Sequence, residues 1–251
     1  MTIRPLIYKI AALAALLALV FISLGFVSTE KGKIVCVHID YVYDEPYRFV
    51  DDKTIGRRIE SRFNALTGAL IDTIDTEMVE IEIEKLAWIR NAEVFKGYGR
   101  SDTARFAGGL KIYIAQEEPV LRIVNGADGY YVNRSGKKLP FSSSNTANVL
   151  VATGSVTDEV ISNELLVMVD KLSNDVFLSS LFQQIDVQTN GELILVPRVG
   201  NHIIEFGTVD NMDTKFRNLE AVYKKGFNGE SWNKYKSINL KYKNQVVCTH
   251  R

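Results

Sequence analysis

Residues 110–123 read LKIYIAQEEPVLRI, and the way this stretch divides sets the organisation of the chain. Leu110, Ile112 and Ile114 alternate with Lys111, Tyr113 and Ala115, the period-two signature of a strand with one packed face. Gln116, Glu117 and Glu118 interrupt the alternation, and Pro119 then opens a second apolar run, Leu121 to Val124. The segments on the two sides of this break follow different patterns, which predicts two domains of an α+β chain, 34–116 and 117–251.

Upstream, Ile34 to Ile39 is β-branched and suits a strand. Asp51 and Asp52 can cap a helix in which Ile55, Ile59 and Phe63 recur every four residues, with Arg57, Arg58 and Arg62 on other faces. Asp75 and Thr76 precede Met78, Val79, Ile83 and Leu86. Val79, Ile81 and Ile83 also alternate at period two, but Glu77, Glu80, Glu82 and Glu84 favour a helix near its N-terminus, with the glutamates on a solvated face. Ala92 to Lys96 reads as a strand. Lys96 to Gly108, with Gly97 and Gly99, reads as a hairpin loop, and no capped helix follows that would make these glycines a phosphate cradle. The predicted order is strand, helix, helix, strand, strand.

Downstream, short runs are separated by Asn125-Gly126, Asp128-Gly129, Ser135-Gly136, Asn190-Gly191 and Gly200-Asn201, all turn signals. Strands are predicted at Leu121 to Val124, Gly129 to Val132, Val149 to Thr153, Ile185 to Gln188, Glu192 to Val196, His202 to Phe206 and Ser237 to Val247. Helical spacing appears over Asp158 to Leu172 and over Asp213 to Lys225, the latter carrying Phe216, Leu219, Val222 and Tyr223. The second domain is thus β-rich with packed helices.

The N-terminal run Ile10 to Val27, IAALAALLALVFISLGFV, holds no charge and approaches the length of a hydrocarbon core. It ends Leu24-Gly25-Phe26-Val27, without the small residues of a cleavage site, so an uncleaved anchor over 10–27 is preferred to a signal peptide. Arg4 and Lys9 lie before it, which orients residues 1–9 as a short cytoplasmic segment and the rest outside the cytoplasm. Lys plus Arg number 30 and Asp plus Glu 30, a balance that excludes a basic nucleic-acid binder and an acidic disordered chain.

Catalytic chemistry has little to build on. Cys36 and Cys248 are too few for a disulfide scaffold, and His38, His202 and His250 stand in no metal-ligand spacing. Neither a G-x-S-x-G elbow nor a Walker A loop is present. No enzyme, cofactor or metal is expected.

Several local sequences resemble one family. Leu86-Ala87-Trp88-Ile89-Arg90-Asn91-Ala92-Glu93-Val94 looks like its helix-to-strand turn. The 110–123 stretch looks like its exit from a POTRA fold into the next domain. Gly129-Tyr130-Tyr131-Val132-Asn133-Arg134-Ser135-Gly136-Lys137-Lys138-Leu139-Pro140 matches the strand and turn that follow, and the segment from Tyr235 to Val247 closes the match. With a single N-terminal anchor, these resemble the FtsQ/DivIB family of bacterial cell-division proteins, although Gln116 stands where many members have Glu. The resemblance implies a POTRA domain over 34–116 and a non-catalytic divisome scaffold of the inner membrane, periplasmic in bulk and at the septum. By the same resemblance it is expected to link early and late division proteins and to recruit FtsB, which carries FtsL by a coiled coil, so regulating septal peptidoglycan synthesis. A POTRA-containing envelope assembly or secretion factor is the alternative.

The last strand is the candidate partner site. Ile238, Leu240, Tyr242 and Val246 alternate with Asn239, Lys241 and Lys243, and Asn244 lies between. At a sheet edge such a strand offers free backbone groups to an added strand, unless Lys241 and Lys243 blunt it. An ordinary final strand is the competing reading. Leu219, Val222 and Tyr223 of the neighbouring helix are expected to line the same groove.

Overall fold

The alternation at Leu110–Ile114 becomes the middle strand of a three-stranded sheet. In a computed structural model of the chain the described residues are 13–22, 34–100, 106–126, 128–227, 229–243 and 245–251. They divide into two compact units, Met1–Gln116 and Glu117–Arg251.

In the first unit β1 (Cys36–Tyr43) runs parallel to β3 (Phe106–Gln116), and β3 runs antiparallel to β2 (Ile89–Arg100), in the order β1-β3-β2. Between β1 and β2 the chain forms α2 (Asp52–Phe63) and α3 (Thr76–Glu84), so the elements follow the order strand, helix, helix, strand, strand. Asp51 accepts from the Thr54 N–H at 2.8 Å and Asp75 from the Met78 N–H at 3.2 Å, each satisfying a donor that a helix start leaves free. Ile55, Ile59, Val79 and Ile83 are buried, as are Leu110, Ile112 and Ile114, so one sheet face and two helix stripes share a core. Gln116, fully buried, accepts the Phe49 N–H at 2.8 Å and donates to the Tyr47 carbonyl at 2.7 Å. A carboxylate has no donor for Tyr47, which is the physical reason an amide suits this site.

Two expectations change here. The glutamates of α3 are not a solvated row: Glu80 accepts the Val94 N–H at 2.6 Å and Glu84 the Ala92 N–H at 3.1 Å, both along the outer edge of β2. Glu82, 6% exposed, pairs with Arg58 at 2.7 Å and Lys85 at 2.6 Å. The glycines of the expected loop are strand residues, with Gly97 opposite Gly109 and Tyr98 opposite Gly108. On β3 the backbone is closely approached: a Cβ on Gly108 would lie 2.7 Å from Ile71 Cδ1, and one on Gly109 2.5 Å from the His38 ring, whereas Gly97 and Gly99 of β2 have room for one. Residues 101–105 of that loop lie outside the described residues.

The second unit is a nine-stranded mixed sheet in the order β12-β11-β10-β9-β8-β7-β4-β5-β6. Its strands are β4 (Pro119–Asn125), β5 (Asp128–Asn133), β6 (Lys138–Pro140), β7 (Leu150–Gly154), β8 (Phe182–Val187), β9 (Leu193–Pro197), β10 (Ile203–Gly207), β11 (Tyr235–Asn239) and β12 (Val247–His250). Inward residues Leu121, Ile123, Ala152, Ile185, Leu193, Leu195, Ile204, Phe206 and Ile238 form one cluster with residues of the helices. The helix expected over 158–172 is α4 (Asp158–Val160), a π-helical stretch (Ile161–Leu165) and α5 (Leu166–Ser173) in succession. That over 213–225 is α7 (Met212–Ala221) and a π-helical stretch (Val222–Gly226). Between them lies an unforeseen helix, α6 (Val176–Leu181), with Asp175 as its cap.

Residues 13–22 form a helix, α1, whose side chains are exposed and apolar, Phe21 at 75% and Leu19 at 68%. Among the described residues no helix is long and apolar enough to cross a membrane. The rest of the expected 10–27 anchor and the whole of 1–9 lie outside them.

Candidate partner-binding edge

The single strand expected over Ser237 to Val247 is two strands. β11 pairs parallel with β10, placing Ile204 beside Ile238, and antiparallel with β12, placing Ser237 opposite Thr249 and Asn239 opposite Val247. The chain reverses between them. Asn239 builds the reversal: its Oδ1 accepts the Lys241 N–H at 2.9 Å while its Nδ2 donates to Glu205 at 2.6 Å. β11 is therefore an interior strand, and β12 ends the sheet.

The direction of the free groups on β12 follows from the ladder. The Leu240 N–H turns back to the Glu205 carbonyl at 3.0 Å, toward β10. Peptide groups alternate along a strand, so those of Ser237 and Asn239 face β12 and meet Thr249 and Val247. The peptide groups of Cys248 and His250 then face away from the sheet. The edges of the first unit are different. The β2 edge is occupied by Glu80 and Glu84, and the start of β1 bonds to Gly68 and Ala69.

The candidate residues separate accordingly. Ile238, Leu240 and Leu219 are core, at 0%, 3% and 0% exposure, and touch the cluster under the sheet rather than any groove. Val222 and Val246 are half-buried against the same cluster. Tyr242 is 52% exposed, and Lys241 and Lys243 beside it are exposed; Asn244 lies outside the described residues. Lys241 does not blunt an edge: its ammonium reaches Glu192 at 3.0 Å, which holds the lysine above and the carboxylate below their ordinary pKa values. Tyr223 sits between the rings of Phe177 and Phe227, 5.9 and 5.1 Å away, its hydroxyl 2.6 Å from His202 Nε2.

Sequence reasoning reached Val247, as the end of one long strand, but missed Cys248, Thr249 and His250 as the edge. A signal was available, because an eleven-residue strand is about twice the usual length, and polar Lys243-Asn244-Gln245 breaks it in the middle.

The remaining surface shows the chemistry of contact. A broad cleft of about 630 Å³ on the outer sheet face of the first unit is bordered by His38, Asp40, Gly97, Gly109 and Lys111. His38 and Asp40 are 3.7 Å apart and both largely exposed, a solvated pair rather than a desolvated acid and base. Among the described residues no group of three or more His, Cys, Asp or Glu is placed to hold a metal.

A comparison with curated proteins returns no match. The family model described as FtsQ/DivIB, C-terminal related, matches residues 118–249, more than half of the 251-residue chain. The matched segment runs from the start of β4 into β12 and so takes in every strand of the nine-stranded sheet. The chain belongs to this FtsQ/DivIB-related family, a family of non-catalytic cell-division scaffolds.

Proposed function

We propose that the protein is a single-pass inner-membrane scaffold of the bacterial septum that receives FtsB, and with it FtsL, on the open edge of β12. Residues 10–27 anchor it with residues 1–9 in the cytoplasm, and the two units lie in the periplasm. Residues 34–116 act as a POTRA domain toward other envelope proteins, and residues 117–251 carry the docking edge. The protein links early and late division proteins and so regulates septal peptidoglycan synthesis. It needs no cofactor, metal or small-molecule substrate.

The observation that carries this reading is the terminal position of β12, with the peptide groups of Cys248 and His250 turned outward, and with Tyr242 exposed in the reversal that leads into it. An added strand takes its affinity from such backbone groups, and its specificity from side chains that flank them. Proline has no N–H, so Cys248→Pro removes an outward donor, while Cys248→Ala alters only the side chain. The test is capture of FtsB and FtsL by the full-length chain in detergent. Expected is retention by Cys248→Ala and loss by Cys248→Pro, with the second unit folded by circular dichroism in both. Undiminished capture by a folded Cys248→Pro chain overturns the assignment.

A further inference from the structure

His202 is 2% exposed, and the groups around it treat its two nitrogens unequally. Nε2 lies 2.6 Å from the Tyr223 hydroxyl, whereas Nδ1 is buried without a hydrogen-bond partner. Gly200 and Trp232 close that side. A Cβ on Gly200, whose φ is +77°, would come within 2.8 Å of both His202 Nδ1 and Trp232 Cδ1. Phe227 packs its ring 6.2 Å from the imidazole.

The same place holds the end of the edge strand. Arg251 donates from Nη2 to the Asn201 carbonyl at 2.6 Å, next to His202, and from its backbone N–H to the Lys234 carbonyl at 3.0 Å. His250 lies over the Tyr235 ring at 4.6 Å, and Tyr235 packs 5.5 Å from Phe227. Among the described residues the charged and titratable groups around His202 are thus Tyr223 from the π-helical turn and Arg251 from the chain following β12, with exposed His250 one ring further out. The hydrogen-bonded neighbour, Tyr223, is a neutral hydroxyl, and the nearby charge is positive.

We propose that His202 is a proton-operated latch: neutral, it leaves the Arg251 tie to the Asn201 carbonyl in place, and protonated, it repels Arg251 and releases the segment from Val247 to Arg251. An imidazolium has two N–H donors, and the Nδ1 donor has no acceptor among the described residues, so the charge is buried with one donor unpaired. It also sits beside the Arg251 guanidinium that ties β12 to Asn201. Relief comes from opening the Arg251 contact at Asn201, which separates the two cations. Burial, and then the Arg251 charge, hold the histidine below its ordinary pKa. With the segment open and Arg251 withdrawn, His202 takes up the proton more readily than with it closed, so closure is fully favoured above about pH 6.5 and weakens as pH falls below it. The latch concerns the order of β12 itself and stands without any partner.

The test is amide hydrogen exchange of the full-length chain, corrected for the intrinsic pH dependence of exchange. Between about pH 7.5 and about pH 5.5 the opening equilibrium of residues 247–251 rises by up to about tenfold, the limit set by an unfolded imidazole of pKa about 6.5. His250→Gln leaves that response in place, and His202→Gln abolishes it. Where His202→Gln perturbs folding, the imidazole resonances of the otherwise unmodified chain give a second reading: His202 titrates below about 6.5, and Arg251→Gln moves it upward. Protection of β12 unchanged by acid, a response that persists in folded His202→Gln, or a His202 titration at or above the ordinary value overturns the proposal.

Discussion

Replacing Ile238 by alanine separates a core strand from a binding strand. Ile238 is fully buried on β11, with Ile204 of β10 on one side and Cys248 of β12 on the other. The substitution removes three buried carbon groups at about 0.8 kcal/mol each, roughly 2.4 kcal/mol of transfer free energy. The cavity left behind adds to this, for a total of about 2–5 kcal/mol. With a urea slope of about 1–3 kcal/mol/M, the midpoint of the second unit falls by roughly 1–2 M. Because the chain has two compact units, the transition is followed by hydrogen exchange of peptides within residues 182–207 rather than by a whole-chain signal. FtsB capture by the folded Ile238→Ala chain at low temperature stays close to that of the parent. A midpoint shift below about 0.5 M, or loss of capture without loss of stability, would mean that Ile238 faces outward and that the burial reasoning is wrong.

Tyr242→Ala is the complementary change: at 52% exposure it alters unfolding by no more than about 0.5 kcal/mol, and capture weakens by about thirtyfold if measured by titration, the scale of an aromatic hot spot. Gly108→Ala and Gly109→Ala differ although both glycines lie on β3. The first forces buried Ile71 and costs about 1–3 kcal/mol in thermal unfolding of the first unit, while the second needs only a swing of exposed His38 and costs less. Lys85, then Arg58, holds the Glu82 carboxyl below its usual pKa. The unfolded chain binds that proton first, so this stabilisation is whole above about pH 4.3 and is lost as pH falls below it. Comparing Glu82→Gln with the parent across an acid titration checks this, and parallel curves would refute it.

Local signals were read correctly where one helix turn or one alternating run contains the whole cause. Asp51 and Asp75 are caps because their carboxylates reach N–H groups three residues on, a contact that needs nothing from the rest of the chain. The helix at Thr76–Glu84 won over its period-two competitor for the same local reason. The π-helical stretches at Ile161–Leu165 and Val222–Gly226 carried no such mark, since they differ from α-helix only in the span of the backbone bond. The glycines of β2 and β3 point to a loop because Gly favours loops, and only the packing of buried Ile71 against β3 explains why Gly108 is needed in a strand; Gly97 and Gly99 of β2 meet no close contact.

What the sequence by itself determined is the succession of apolar periods: two helices behind a first strand, a break at Gln116–Pro119, then short strands with two long helical segments. Those follow from spacing along the chain, while the family rests on the quoted local sequences and on the family model over residues 118–249. Tertiary structure alone decided which strand is last in the sheet. Whether Ser237–Val247 is an edge depends on what pairs with it on each side, and the partners lie in β10 and in β12 after the reversal at Asn239 and Lys241. The pairing of Glu82 with Arg58 and that of Lys241 with Glu192 belong to the same class, because each joins residues distant in sequence. A periodic pattern specifies which face of an element is apolar, but the hydrogen-bond partner of its backbone and the counter-charge of its side chains are chosen only when the elements meet.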